Sequence, residues 1–340
     1  MPKIKVISSM ALDAICYLEK CFLSPNEETR LHPVQLNFMN KINASCIEKL
    51  GNEYVPGSTL CLALTAFVEG ESLESLSLGD LVRIFENPEK FRATVQKNIH
   101  NEFTASYVYP ELDYLVEGAA AVYVENMKII EKAGFAQIWE ADLLPIIRAK
   151  IAEKQAVYEK LDFVALAKDI QKMKQCPPID DVKIYVSVLS YPTAFTLFNG
   201  DFLENIGGGE GAGMICHELM HGFSNEKIEN LYVEYVKKGP YLARKHEILT
   251  VEMQSGNEEE FVMAAEYYLR LKHTGESKST LLKKCRYYYD DCTPVAVFLI
   301  DLLSQESETP NGYAQWLSTI FESNRLPQTD IERHLNELAP

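Results

Sequence analysis

The pentapeptide His217-Glu218-Leu219-Met220-His221 constrains this chain more than any other stretch. Side chains four residues apart on an α-helix lie on one face, a single turn from each other. A helix through these residues therefore points two imidazoles at one spot, where each can bind a Zn²⁺ ion at about 2.0–2.1 Å. Glu218 is rotated by about 100° from His217, too far round to serve as a third ligand from the same helix. It is placed instead to take a proton from a water held at the ion. The chain has seven histidines in 340 residues. Roughly one chain in a hundred of that composition would carry the pattern by chance.

The neighbouring residues give this helix a packing face of its own. His217 and His221 share one side of the helical wheel with Met214, while Ile215, Cys216, Leu219, Met220 and Phe223 take the other. The histidines are not needed as apolar filler. Gly207-Gly208-Gly209 and Gly211 precede the helix and Gly222 follows the second histidine, which brackets it.

Charge and composition narrow the function classes. A net charge of −16 with no basic stripe argues against a nucleic-acid partner. No segment approaches the roughly 20 apolar residues that span a bilayer. The start, Met1-Pro2-Lys3-Ile4-Lys5, is basic, but Asp13 and Glu19 interrupt the apolar residues after it, so no secretory apolar core is expected. The eight cysteines, Cys16, Cys21, Cys46, Cys61, Cys176, Cys216, Cys285 and Cys292, include no C-x-x-C pair. They are expected as free buried thiols in a reducing cytoplasm.

Hydrophobic periodicity predicts a mainly α (α+β) fold. Leu12, Ile15, Cys16, Leu18 and Phe22 recur at helical spacing, with Pro25 as the stop. Pro33 opens a second helix carrying Leu36, Met39, Ile42, Cys46 and Leu50, closed by Gly51. Pro88 and Pro110 are expected in first turns. Residues 110–134 read as one long helix or a broken pair, and 146–173 as helical again. Cys176-Pro177-Pro178 ends that helix. The β-branched run 182–189, then 194–198 and the turn Asn199-Gly200-Asp201, predict a small antiparallel sheet just before the metal helix. Helix dominates from 213 onward. The expected organisation is a helical region, 1–178, and a second region, 179–340, around the metal helix, with a loose boundary that also allows one compact unit.

Two histidines leave a catalytic zinc one protein ligand short. The H-E-x-x-H-x-x-G-x-x-H solution fails here, because Ser224 and Lys227 stand where the glycine and third histidine belong. The remaining common solution is a glutamate on a later helix, and Asn257-Glu258-Glu259-Glu260-Phe261-Val262-Met263-Ala264-Ala265-Glu266-Tyr267-Tyr268-Leu269 fits it. Helical phase puts Glu258 on the inward face with Val262, Ala265 and Leu269. Glu260 takes that place if the helix starts late.

With these residues the chain resembles the gluzincin metallopeptidases of the zincin clan. Glu259, Phe261, Ala264, Ala265 and Tyr268 match the ligand-glutamate segment of such enzymes loosely. The resemblance covers about residues 183–270 at motif level, and the N-terminal half resembles no family. The Asn-Glu-x-x-Ser-Asp arrangement of thermolysin is absent. The resemblance implies a zincin-like region, a Zn²⁺ cofactor held by His217, His221 and Glu259, and Glu218 as general base in peptide-bond hydrolysis. It further implies an oxyanion donor beyond the third ligand, for which Tyr267, Tyr268, His273 and Tyr287-Tyr288-Tyr289 are candidates. Asp201, Glu204 or Asn205 are candidates to orient a ligating imidazole. A peptide or protein substrate is the expected partner, pairing with the strand at 194–198. His246-Glu247 begins a second such motif but Thr250 replaces its second histidine, so His246 is expected at the surface or in the core. The stretch 294–300 is expected in the core. The competing class is a non-proteolytic zinc protein in which the ion is structural or regulatory.

Overall fold

β-Branched and aromatic residues fit a pleated surface, and in the computed structural model Val182–Ser187 is a strand (β2) of a four-stranded sheet. The structure describes residues 2–22, 33–42, 55–68, 73–190, 194–207, 211–253 and 255–340, apart from the side chains of Phe22, Glu102, Phe103, Tyr289 and Asp290. The expected stop at Pro25, the far end of the second helix at Cys46, Leu50 and Gly51, and Gly208 and Gly209 lie outside the described residues. The chain is mainly helical. It divides into two compact units interleaved along the sequence. One comprises Ile4–Val157 and Val182–Gly209, the other Met1–Lys3, Tyr158–Asp181 and Glu210–Pro340.

The first unit holds β1 (Ile4–Ile7), α1 (Met10–Phe22), α2 (Pro33–Lys41), α3 (Gly57–Phe67), α4 (Leu78–Phe85), α5 (Pro88–Asn98), α6 (Glu102–Tyr114), α7 (Ala120–Lys132), α8 (Phe135–Ile138) and α9 (Leu144–Tyr158), then β2, β3 (Phe195–Thr196) and β4 (Phe202–Asn205). The sheet order is β1-β2-β4-β3. The sheet is mixed, which corrects the expected antiparallel one. Ile4 pairs with Val182 and Ile184 with Phe202 in parallel, and only β3 runs antiparallel, Phe195 opposite Leu203. The physical reason is the tight turn at Asn199 and Gly200, both at positive φ (62° and 79°). It makes β3 and β4 the hairpin and turns β4 back alongside β2. β2 is buried on both faces, as a central parallel strand requires.

Pro88 opens α5 as expected. Pro110 instead lies inside α6, because Asn101 starts that helix well upstream by accepting from the Thr104 N–H at 2.9 Å. The segment 110–134 is a broken pair: a π turn at Leu115–Ala119, with Gly118 at φ 147°, separates α6 from α7.

The second unit holds α10 (Phe163–Lys174), α11 (Ala212–Met220), α12 (Glu226–Val236), α13 (Pro240–Glu247), α14 (Glu259–His273), α15 (Lys278–Tyr287), α16 (Pro294–Leu303), α17 (Tyr313–Glu322) and α18 (Ile331–Leu338). α10 ends at Lys174 with Gln175 in the left-handed region, just before the two prolines. The apolar α16 is buried almost throughout, as expected for 294–300. α14 is the centre of this unit. Phe261, Val262, Met263, Ala264, Ala265 and Leu269 are all fully buried, and α11, α15 and α16 pack against it. Among the described residues no helix is long and apolar enough to cross a membrane.

Candidate metal centre

α11 carries His217 and Glu218, and His221 is the residue that closes it. Its φ of −53° is still helical and only its ψ of 149° departs. The Cα and Cβ of His221 therefore continue the helical path, and the chain turns away after them, through Gly222 at φ 78°. The two imidazoles lie with ring centroids 4.9 Å apart and planes at 75°. Burial follows the wheel: Ile215, Cys216, Leu219 and Met220 are buried, while Met214, His217 and His221 are part-exposed. The end of α11 is sealed by Lys174, whose ammonium donates to the carbonyls of Leu219 (2.9 Å) and His221 (2.5 Å). A cation there satisfies orphan carbonyls and opposes the helix dipole.

α14 brings its acids to these rings. Glu259 Oε1 is 3.5 Å from His217 Nε2. His217, His221 and Glu259 each offer a ligand atom, and these atoms lie within 4.8 Å of one another. The opposite edges of both rings are also engaged. Glu266 Oε2 is 3.2 Å from His217 Nδ1, and Glu258 Oε1 is 3.0 Å from His221 Nδ1. A carboxylate on Nδ1 fixes the tautomer and leaves Nε2 as the ligand atom. Glu258 is itself anchored, accepting from the N–H groups of Gly222 (2.8 Å) and Ser224 (3.2 Å).

Glu260 faces elsewhere. It accepts from the Tyr232 hydroxyl at 2.6 Å and from the Ala296 N–H at 2.9 Å, in the first turn of α16. That position suits a carboxylate, since a helix start presents unpaired N–H groups. The three adjacent glutamates thus divide three ways: one beside the ligand atoms, one orienting His221, one bracing the core.

The local field favours positive charge. Burial pushes the His217 pKa down, but the Glu266 hydrogen bond and the charges of Glu259, Glu266 and Glu218 together raise it to about 9. Burial acts to raise Glu258, yet His221 and the Gly222 and Ser224 amides hold it below the ordinary glutamate range. Glu218 is 5% exposed, an unusual burial for a glutamate.

The other sequence candidates make contacts of their own or stand exposed. The Tyr268 hydroxyl donates to Thr309 Oγ1 (3.4 Å), and His273 Nε2 meets Asp169 Oδ2 at 2.8 Å. Tyr267 lies under the Arg270 guanidinium, 4.9 Å from the ring centroid. Tyr287 and Tyr288 are exposed, and the Tyr289 side chain is outside the described residues. His246 packs edge-on against the Tyr232 ring at 5.2 Å, as a core contact.

The proposed orienting residues of the other unit serve that unit. Asp201 accepts from the Lys183 N–H, Glu204 pairs with Lys154, and Asn205 donates to the Ser190 carbonyl. The carboxylates that meet the Nδ1 atoms of the two imidazoles are Glu258 and Glu266. Glu266 escaped the sequence reading, although its distance of seven residues from Glu259, about two helical turns, puts it on the same face. The chain matches no protein-family model, no curated protein and no solved structure.

Proposed function

We propose that the chain is a zinc metallopeptidase of the gluzincin kind, cleaving peptide or protein substrates. His217, His221 and Glu259 are the ligands and Glu218 the general base. The observation that carries this reading is convergence: two imidazoles held at Nδ1 by separate carboxylates, with Glu259 beside the Nε2 edge of His217. Two nitrogens and one carboxylate oxygen are a donor set suited to zinc, with a fourth position left for water or substrate. When bound, such an ion polarises a scissile carbonyl and acidifies a water. Glu218, one residue beyond His217 on α11, receives the proton of the attacking water and delivers it to the leaving amine. A structural zinc site needs no such base. The cytoplasm is the proposed compartment, and none of the seven described cysteines is in a disulfide.

The test is zinc content and cleavage together. We expect one zinc per chain in the parent, strong loss in His217→Ala and His221→Ala, and cleavage of a mixed peptide library that a chelator abolishes. Full zinc occupancy in both variants ends the metal assignment. A zinc-loaded parent without chelator-sensitive cleavage is instead a non-proteolytic zinc protein, structural or regulatory.

A further inference from the structure

Glu266 has two oxygens and only one of them meets His217. The other, Oε1, is held by Arg270 Nη1 at 3.0 Å, one turn further along α14. Arg270 is in turn held from behind. Its Nε and Nη2 form a bidentate fork on Glu276, at 2.9 and 2.8 Å, and Tyr267 lies under its guanidinium. Glu276 also accepts from Lys284 (2.6 Å) and from the Thr274 hydroxyl (3.1 Å). The Arg270 and Glu266 side chains are only 15% and 12% exposed. A planar fork on a carboxylate fixes orientation in a way a flexible ammonium does not.

Besides the His217 contact, the pair lies close against α11 at Gly213. A Cβ there would stand 3.0 Å from both Arg270 Nη1 and Glu266 Oε1, and 3.4 Å from Arg270 Cδ. Gly213 lies four residues before His217, one turn away on the same face. The bare surface at Gly213 is what lets the ion pair lie along the metal helix beneath the ring it orients.

We infer that Arg270, braced by Glu276 and seated over Gly213, is a positioning residue of the metal centre. It holds Glu266 so that the free oxygen keeps His217 turned toward the ion. The inference rests on the proposed metal site and extends it by a layer that touches no ligand. Without Arg270 the Glu266 carboxylate loses its anchor, and the orientation of His217 is no longer set in advance.

The experiment measures Zn²⁺ affinity by competition with a chelating dye, on full-length variants whose helical content equals the parent's. Loss of an orienting partner typically costs 10–100-fold in metal affinity. Glu266→Gln is expected in that range, and Arg270→Met at about tenfold, its lower edge. Arg270→Lys, which keeps the charge without the fork, is expected between Arg270→Met and the parent. Gly213→Ala displaces the same pair without deleting a charge and is expected to weaken zinc in the same direction. In the Glu266→Gln background, Arg270→Met should cost almost nothing more, because both act through one contact. Parental zinc affinity in both Arg270→Met and Gly213→Ala, with only thermal stability reduced, overturns the inference and makes the pair a structural strut. Additive losses in the double variant overturn it as well. A parent chain that itself binds no zinc overturns the underlying metal reading, a distinguishable result.

Discussion

Both units of this molecule bury acids, and the two sets behave differently. In the sheet-bearing unit Asp13, Glu19 and Glu204 are 0%, 5% and 0% exposed. Each answers to its own local donors: Asp13 to Trp139 and Ser187, Glu19 to the Gly57 N–H, Glu204 to Lys154. In the other unit Glu258, Glu259 and Glu266 are aimed at two imidazoles that are themselves neighbours. Burial has opposite net outcomes. It raises Asp13 to about 6 despite its donors, and Glu19 to about 7, whereas His221 and two amides more than offset it at Glu258. A buried carboxylate is therefore no evidence of a site by itself. Convergence of several on groups that share a target is evidence, because separate core requirements would not aim them at one point.

The largest expected effect breaks the comparison at its strongest place. Glu218→Gln keeps the shape of the side chain and removes the base. General-base assistance is worth about 10²–10⁴-fold, and turnover should fall by that factor on any peptide the parent cleaves. Zinc content should stay at the parental level, since Glu218 is not a proposed ligand. Near-normal turnover in this variant would remove Glu218 from the mechanism and leave the buried acid of α11 with the same status as Glu204.

The acids of the sheet-bearing unit make a prediction that owes nothing to metal. Glu19 is raised to about 7 chiefly by burial, with the Gly57 N–H and Lys20 pulling the other way. The unfolded chain releases this proton near pH 4.3 and the folded chain near 7, so between those values the folded state holds more protons. Stability from this group is complete below about pH 4.3 and is lost as pH rises to about 7. The difference approaches about 4 kcal/mol. Urea unfolding of the parent and of Glu19→Gln at pH 5 and pH 8 checks it. The parent should lose more stability than the variant on going to pH 8. Equal losses in the two proteins would mean that Glu19 titrates as an exposed residue does.

The contrast also explains what could be read from the sequence. The His217–His221 pairing was legible because it depends on one helical turn, a local geometry that holds wherever the helix sits. That the acidic head of α14 lies toward the rings was legible for a similar reason, since acids at the start of an apolar helix mark a face, but helical phase alone pointed to Glu258, and Glu259 rested on the gluzincin resemblance. The role of Glu266 was not, because it depends on how α14 crosses α11 and on the absence of a side chain at Gly213. The sheet fails to announce itself in the same way. β2 is a β-branched run visible on its own, but β1 is four residues whose partner lies at Val182–Tyr185, far along the chain. Pro110 misled because a helix interior that tolerates proline looks, in sequence, like a helix start.

The smallest expected effect sharpens the comparison inside a single turn. Glu258 and Glu260 are two residues apart, both buried, and sit on either side of the proposed ligand. Glu258 reaches His221, and Glu260 reaches Tyr232 and the start of α16. Changing each to glutamine keeps volume and removes charge. Glu258→Gln should weaken zinc by about 10–100-fold, or about 1.4–2.7 kcal/mol, because the amide is a poorer acceptor for the Nδ1 proton of His221. Glu260→Gln should leave zinc affinity at the parental value and change only unfolding stability, since its partners belong to the core. A chelator competition titration and a urea melt on each variant separate the two roles. If both variants lose zinc equally, the acids at the head of α14 act on the metal as a common negative field, and the division of labour drawn from their hydrogen bonds is wrong.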